Sequence, residues 1–422
     1  MTGDARVTQR RAIEALRSGV PNRDAVVALG CAQAEIEARF RTQLENVSRS
    51  GPETPIANGM LVQGGFGSGK SHLFEYLQHL AIEQNFICSK IVISKETPLH
   101  DPAKMFRAAV EAAVVPGKRG AAITEIAMQL DFRSDAYAEL QTWVSDPAEG
   151  LNPRFPAMLF LYQRMQNDPE ISNRIIRFWS GDQVGVGEIK KYLKACREPV
   201  TYRIDPISIR DLSLQRFSFT SRMIRAAGYS GWVLLIDEVE LIARYSIMQR
   251  AKSYAELARW MGQMEGSRFA GLTAVLAITD DFRAAVLDDK DDEAKVPNRL
   301  RAKGSDSDLL LASQAERGMR IIRGEGATLQ SPDSAAIDQT YESVRLIHSQ
   351  AYDWEPPSVR SVERLASTRM RQYVKGWITE WDLRRLDPAY AVEIEANELK
   401  PDYEEDRNLE VASEEDATGG VE

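Results

Sequence analysis

GGFGSGKS, Gly64 to Ser71, stands directly after the apolar run Gly59-Met-Leu-Val-Gln63 and directly before HLFEYLQHLAI. The order is strand, glycine-rich loop, helix. In a GxxxxGK[ST] loop placed this way, consecutive backbone N–H groups converge on phosphate oxygens, with the positive end of the helix dipole behind them. Gly64, Gly65, Phe66, Gly67, Ser68 and Gly69 are the expected cradle, with His72 following on the helix. Lys70 is expected to reach the β- and γ-phosphates, and the Ser71 hydroxyl to ligand Mg²⁺. A glycine-rich turn beside a chance lysine would not require these flanks, so the stretch reads as a nucleotide-binding P-loop.

WVLLIDEVE, Trp232 to Glu240, supplies the second half of the site. Val233, Leu234, Leu235 and Ile236 have the continuous apolar character of a strand buried in a parallel sheet, and two acids stand at its C-terminal end, where open α/β sheets hold their ligands. Asp237 is expected to hold the Mg²⁺ shell and Glu238 to orient and deprotonate an attacking water. Alone, an apolar run followed by Asp-Glu is more often a strand end with solvated acids. Behind a P-loop it reads as a Walker B element, and the second acid favours a hydrolase over a passive binder.

The rest of the composition narrows the class. With 43% apolar and 27% charged residues the 422-residue chain is globular in composition. Its longest aliphatic runs fall short of the ~20 residues of a spanning helix, and MTGDARVTQRRAIEALRSG has no signal-peptide core, so a cytoplasmic protein with no membrane partner is expected. Cys31, Cys88 and Cys196 form no CxxC pair, and His72, His79, His100 and His348 do not cluster at ligand spacing; neither a disulfide framework nor a zinc site is supported. Residues 401–422 carry −8 of the formal net charge of −9. That tail, poor in aromatics, is expected to be disordered, either a solubilising end or a DNA mimic competing for a basic groove.

Along the chain, residues 1–50 read as two helices split at SGVPNRD. Phe86 to Ser94 reads as a second strand. From Lys70 to Asp237 is 167 positions, more than a compact nucleotide-binding core needs, so a helical module is expected to be inserted at about 97–211. Ala243 to Met264 reads as a basic helix, Gly271 to Phe282 as a buried strand with a polar tip, DDKDDEAKVPNRLRAKGSDSD as a loop, and Leu309 to Ser313 as a last short strand. The division is then N-terminal helices 1–50 packing on the nucleotide site, an α/β core 51–320 with a parallel sheet, an all-helical lid 321–400 and the tail 401–422.

This order of P-loop, Walker B, polar-tipped strand, arginine-bearing loop and helical lid resembles the AAA+ class, within it the origin-recognition and initiator ATPases. The resemblance implies a sensor 1 role for Thr279, with Asp280 as its neighbour, and a trans-acting arginine finger at Arg299 or Arg301. It implies a sensor 2 role for Arg360, and an adenine-packing role for the segment beginning at Val20, in which Arg23 reads equally well as a surface residue.

Longer strings, RRAIEALRSGVPNRDAVVALG, GGFGSGKSHL, VISKETPLHDPAKMFRAAVEAA, GYSGWVLLIDEVELIARYSIMQRAKSYAELARW and YVKGWITEWDLRRLDP, resemble the ATP-binding protein family of the BREX phage-defence systems. Residues 117–205 and the tail lie outside the likeness. It implies ATP and Mg²⁺ as ligands, an ATPase, and a methyltransferase, a phosphatase-like protein and a helicase as partners. An assembly into a homo-oligomer is expected with it.

Contact with double-stranded DNA is a separate question. Arg360, Arg364, Arg369, Arg371, Lys375, Arg384 and Arg385, interleaved with Tyr373, Trp377 and Trp381, form a basic and aromatic stretch suited to phosphate and base contact. Alternatively the aromatics are core and the arginines pair with Glu363, Glu380 and Asp382. Two rival functions remain beside the DNA-coupled ATPase: a slow ATP-dependent switch, and a scaffold that recruits other defence proteins.

Overall fold

A computed structural model describes residues 3–19, 22–49, 58–197, 202–264, 269–359, 370–389 and 402–409. Six strands form one sheet: β1 Met60–Gln63, β2 Phe86–Val92, β3 Ala113–Val114, β4 Gly231–Asp237, β5 Leu272–Ile278 and β6 Ala327–Thr328, in the order β3-β2-β4-β5-β1-β6. Every pairing is parallel except β2 with β3. Every residue of β4 and β5 is buried, because helices cover both faces of the sheet.

The two faces separate residue by residue. Val233, Leu235, Val275 and Ala277 point to a core built with Phe40 and Leu44 of helix Ala34–Arg49 and Phe74 and Leu77 of helix Lys70–Glu83. Leu234, Ile236, Leu276 and Ile278 point the other way, toward Phe106, Phe217 and Leu257. Alternation along a pleated strand therefore survives inside runs that carry no polar residue. Trp232 sets the second face: its Nε1 donates to Ser89 Oγ at 2.9 Å, and Ser89 Oγ donates on to Ala109 O at 2.6 Å, so no polar atom of that buried pair lacks a partner.

Between β2 and helix Ile209–Ala226, the inserted segment folds into helices Pro102–Glu111, Ala122–Met128, Asp135–Ser145, Arg154–Met165, Pro169–Trp179 and Val186–Ala195. Asp101, Ser134 and Asp168 cap three of them with side-chain oxygens on the first-turn amides. Their apolar faces, with Phe155, Phe178 and Trp179 fully or almost fully buried, join the core under the sheet without a break.

Several expectations are corrected. The N-terminal region is three helices, Gly3–Ser18, Arg23–Leu29 and Ala34–Arg49, since Gly30 with positive φ ends the second. Leu309 to Ser313 is no strand: it lies in helix Asp306–Gly324, capped by Ser305, with Leu309 and Leu310 exposed and Ala312, Ala315, Met319 and Ile322 buried at helical spacing. The sixth strand comes later, at Ala327–Thr328. The charged stretch after β5 is also not a loop. Residues 288–308 run from the end of a π-helical turn, Arg283–Asp289, through helix Asp292–Arg301 into the start of helix Asp306–Gly324, because Val296 and Leu300, one turn apart, have a core to enter.

The C-terminal helices Ser334–Tyr352 and Met370–Leu386 do not stand by themselves. Ala12, Ile13 and Leu16 of helix Gly3–Ser18 pack against Val344, Ile347, Trp377 and Trp381 in one core. Residues 402–409, expected to be disordered, lie against the end of the sheet. Among the described residues no helix is long and apolar enough to cross a membrane.

Candidate functional site

Register carries the site. Gln63 pairs with Ile278, and Ile236 with Leu276, so β1, β4 and β5 end at one edge. Gly64 after β1, Asp237 at the end of β4 and Thr279 after β5 therefore stand at that edge, although Gly64 and Asp237 are more than 150 positions apart in sequence.

Local geometry shapes the loop at that edge. Gly67 and Gly69 have φ of 71° and 104°, the left-handed region that glycine adopts without strain. At Gly64 a Cβ would meet Leu329 Cδ1 at 2.6 Å and Ser68 Oγ at 2.7 Å, so a larger residue there would have to displace those two side chains. Helix Lys70–Glu83 begins at the lysine itself and buries Leu73, Phe74, Leu77 and Leu80 at three- and four-residue spacing. Its first amides therefore face the cavity, with the helix dipole aligned behind them.

Lys70 is 8% exposed and donates from Nζ to Gly64 O at 2.6 Å and Gly65 O at 3.2 Å, with Nζ 5.4 Å from the centre of the Phe66 ring. The ammonium thus satisfies itself on loop carbonyls, and phosphate oxygens would replace those acceptors. Ser71 Oγ donates to Asp237 Oδ2 at 3.3 Å, which puts the hydroxyl and the carboxylate expected to share Mg²⁺ side by side. Both are hard oxygen ligands of the kind Mg²⁺ accepts alongside phosphate. Ser68 Oγ is buried with no hydrogen-bond partner, an open polar atom inside the cradle. The donor set fits a Mg-nucleotide.

Glu238 follows Asp237 with φ 58° and ψ 36°, left-handed for a residue with a side chain, and its N–H donates to Asp237 Oδ1 at 2.9 Å. Such a conformation costs about 1–3 kcal/mol and is held by the surrounding fold. It turns the strand end so that Glu238 is exposed on the cavity while Val239 enters the core. Burial and the adjacent Asp237 push the Glu238 carboxyl above its ordinary value, and Lys70 partly offsets them. That direction suits a group that must accept a proton.

The cavity in front of these residues encloses about 510 Å³. Its walls are the loop Gly65–Ser71, Asp237, Glu238 and Glu240, the turn Gly30–Gln33, Leu16 and Gly19 of the N-terminal region, the segment Leu329–Asp333, and Met370, Arg371 and Val374. The N-terminal helices and the lid thus close on the loop from opposite ends of the sequence. His72 Nε2 lies 2.9 Å from Gly30 O, and burial lowers its pKa from the ordinary value, so the neutral ring ties the P-loop helix to that turn.

Glu240 was not singled out by sequence, and Arg371, which lines this cavity, was singled out only as part of the basic stretch for nucleic acid. Glu240 is 5% exposed, lines the cavity and has no hydrogen-bond partner for Oε2; burial pushes its carboxyl up to about 7 against the pull of Lys70. The third acid of DEVE was the available signal, but nothing in the string separates a buried carboxyl from a solvated one. Because the folded value lies above the ordinary 4.5, the stability tied to this group is present at low pH and is lost as pH rises through 7. Glu240→Gln is accordingly expected to be more stable than the parent by roughly 2–3 kcal/mol at pH 8.5 and to converge with it near pH 5. Urea titrations without nucleotide at both pH values check this, and an equal difference at the two would refute it.

Thr279 lies at the tip of β5, as expected, and is 1% exposed, but its hydroxyl is 2.7 Å from Tyr403 OH and it does not line the cavity. Asp280 is exposed. Arg301 donates to Glu316 Oε1 at 2.6 Å, whereas Arg299, exposed on helix Asp292–Arg301, makes no hydrogen bond or ion pair among the described residues. Arg23 is exposed, and the cap of its helix is Asn22, which accepts from Ala25 N. Arg360, Glu363, Arg364 and Arg369 lie outside the described residues. Tyr373, Trp377 and Trp381 are 2%, 5% and 0% exposed, and Arg384 donates to Glu380 at 2.6 Å. The aromatics of the lid are therefore core, and base stacking on them is excluded in this conformation.

A family model described as BREX system ATP-binding protein BrxC/D matches residues 5–132 and 132–285. No curated protein and no solved structure gives a match.

Proposed function

The chain belongs to the BREX system ATP-binding protein family, an ATP-binding component of phage defence, and on that premise we propose that it hydrolyses ATP as a AAA+ ATPase. The observation that supports this most is the convergence of Lys70, Ser71, Asp237 and Glu238 at the aligned ends of β1 and β4. In this reading the loop amides and Lys70 hold the β- and γ-phosphates, Ser71 and Asp237 hold Mg²⁺, and Glu238 takes the proton of the attacking water. Magnesium supplies charge neutralisation between the phosphates. The strand order, with β5 between the P-loop strand and the Asp-Glu strand, supports the AAA+ assignment.

A finger in this class acts across a subunit boundary, so the reading includes a cytoplasmic homo-oligomer. Arg299, exposed and unengaged among the described residues, suits that role better than Arg301. If the protein contacts duplex DNA, Arg371, Lys375 and Arg385 would act on phosphate rather than on bases. A slow switch or a scaffold is the second reading, and the burial of Thr279 away from the cavity favours it for the isolated chain.

Steady-state ATP hydrolysis with and without duplex DNA tests the proposal, with Lys70→Ala as background. Turnover above that background, rising with DNA, is the expected result; Lys70→Ala is expected to weaken ATP binding about tenfold or more. Turnover no higher than Lys70→Ala under both conditions would give the lead to the switch or scaffold.

A further inference from the structure

Within the described part of the acidic tail, residues 402–409, Asp402-Tyr-Glu-Glu-Asp406 makes the polar contacts with the sheet edge. Tyr403 sits at its centre. Its OH donates to Asp281 Oδ1 at 2.7 Å and lies 2.7 Å from Thr279 Oγ1, and its ring meets Phe282 edge-on at 6.1 Å. On either side the chain is fastened by cations. Glu405 accepts from Arg250 Nη1 at 2.6 Å, Asp406 from Arg244 Nη2 at 2.9 Å, and Lys290 Nζ donates to Tyr403 O at 3.1 Å. The Asp406 N–H adds a backbone bond to Arg244 O at 3.0 Å.

The direction of the hydrogen bonds has a chemical result. Tyr403 has one hydroxyl proton, and a carboxylate can only accept, so that proton goes to Asp281. Thr279 must then donate its own proton to Tyr403. With the segment docked, the single proton of Thr279 is aimed at the tail, and the residue is shut out of the nucleotide cavity.

We propose that the groove formed by Arg244, Arg250, Lys290, Phe282, Thr279 and Asp281 is a binding site for an acidic, tyrosine-bearing peptide segment, filled in cis by residues 402–406, and that its filling withholds Thr279 from the γ-phosphate. Arg244 and Lys290, with Arg250 shared between the buried Asp292 and the segment, give the groove a charge complementary to its occupant, and the aromatic slot selects the tyrosine. The effect on nucleotide rests on the sensor role of Thr279 in the reading above; the groove and its occupant do not. Docked, the site holds ATP and ADP with little distinction at the terminal phosphate. Released, Thr279 can donate to the γ-phosphate, and the preference for ATP rises.

Two measurements on the full chain test this. Hydrogen exchange should find the Asp406 amide protected in the parent, and protection lost in Glu405→Gln/Asp406→Asn. An Asp406 amide exchanging at the rate of an unstructured peptide in the parent would overturn the groove assignment, whatever the ATPase result. Competition with a fluorescent nucleotide should then give an ATP-over-ADP preference about three- to tenfold higher in Glu405→Gln/Asp406→Asn, which releases the segment, than in the parent, the gain of one hydrogen bond. Thr279→Val in the Glu405→Gln/Asp406→Asn background should cancel that gain. An unchanged or lower preference in Glu405→Gln/Asp406→Asn, with the Asp406 amide unprotected, would overturn the withholding of Thr279. Because the second measurement reads binding, a raised preference without turnover would sink the ATPase reading and leave this one standing.

Discussion

Glu238→Gln is expected to lower ATP turnover by on the order of 10²–10⁴-fold while leaving ATP affinity within about threefold of the parent, the usual contribution of a positioned general base. The reasoning begins at β4, whose buried run ends at Asp237 and whose next residue takes a left-handed conformation. That bend presents the Glu238 carboxylate to the cavity next to Ser71 and Asp237, the pair proposed to hold Mg²⁺. Glutamine keeps the size and the backbone, including the N–H donated to Asp237, and removes only the ability to accept a proton. Phosphate binding by the loop and Lys70 is left in place. The check is single-turnover hydrolysis paired with equilibrium ATP binding. Turnover equal to the parent would exclude Glu238 as the base and turn attention to Glu240, the other acid on the cavity wall.

Asp292→Ala is expected to cost about 3–5 kcal/mol of folding stability, the range for removing one partner of a buried ion pair. Asp292 is fully buried at the start of helix Asp292–Arg301, and its Oδ2 lies 2.8 Å from Nε of Arg250, itself 3% exposed. The same oxygen accepts from Tyr254 OH at 2.7 Å, and burial followed by Asp292 holds that phenol far above its ordinary pKa. Removing the carboxylate leaves the Tyr254 hydroxyl without its acceptor and the Nε side of the Arg250 guanidinium without its counter-charge inside the packing of helices Ile247–Trp260 and Asp292–Arg301, while Nη1 keeps Tyr245 O and Glu405. Glu405→Gln touches the same Arg250 from an exposed position and is expected to cost no more than about 1 kcal/mol. Chemical denaturation of the two variants separates the cases. A loss below about 1 kcal/mol for Asp292→Ala would show that Tyr245 O and Glu405 suffice to hold the Arg250 charge.

The two elements that carry the site were legible because each is written in contiguous residues. A glycine-rich turn between a strand and a helix fixes its own backbone, and an apolar run ending in Asp-Glu names a buried strand and its tip without knowledge of its neighbours. The helical insertion was legible from distance alone, since 167 positions between Lys70 and Asp237 exceed what one strand and its helices occupy. Leu309 to Ser313 misled because three leucines in a row suit a strand, while the pattern that makes them helical lies in Ala312, Ala315, Met319 and Ile322. The charged stretch around Asp292 misled for the opposite reason: its buried carboxylate is made tolerable by Arg250 and Tyr254, some forty residues earlier.

What the sequence by itself determined, then, is the glycine-rich turn between a strand and a helix, the buried strand that ends in Asp237, the α/β class and the membership of the BREX ATP-binding family. Tertiary structure alone decided which N-terminal helix packs with the two C-terminal helices, that Tyr373, Trp377 and Trp381 are core, that Glu240 is a buried acid, that Arg301 is paired, and that a piece of the acidic tail contacts Thr279. The physical reason is common to all of them. Periodicity and charge state that a side chain has an apolar face or an ion to satisfy, but the energy is collected from whichever distant surface the packed chain brings against it.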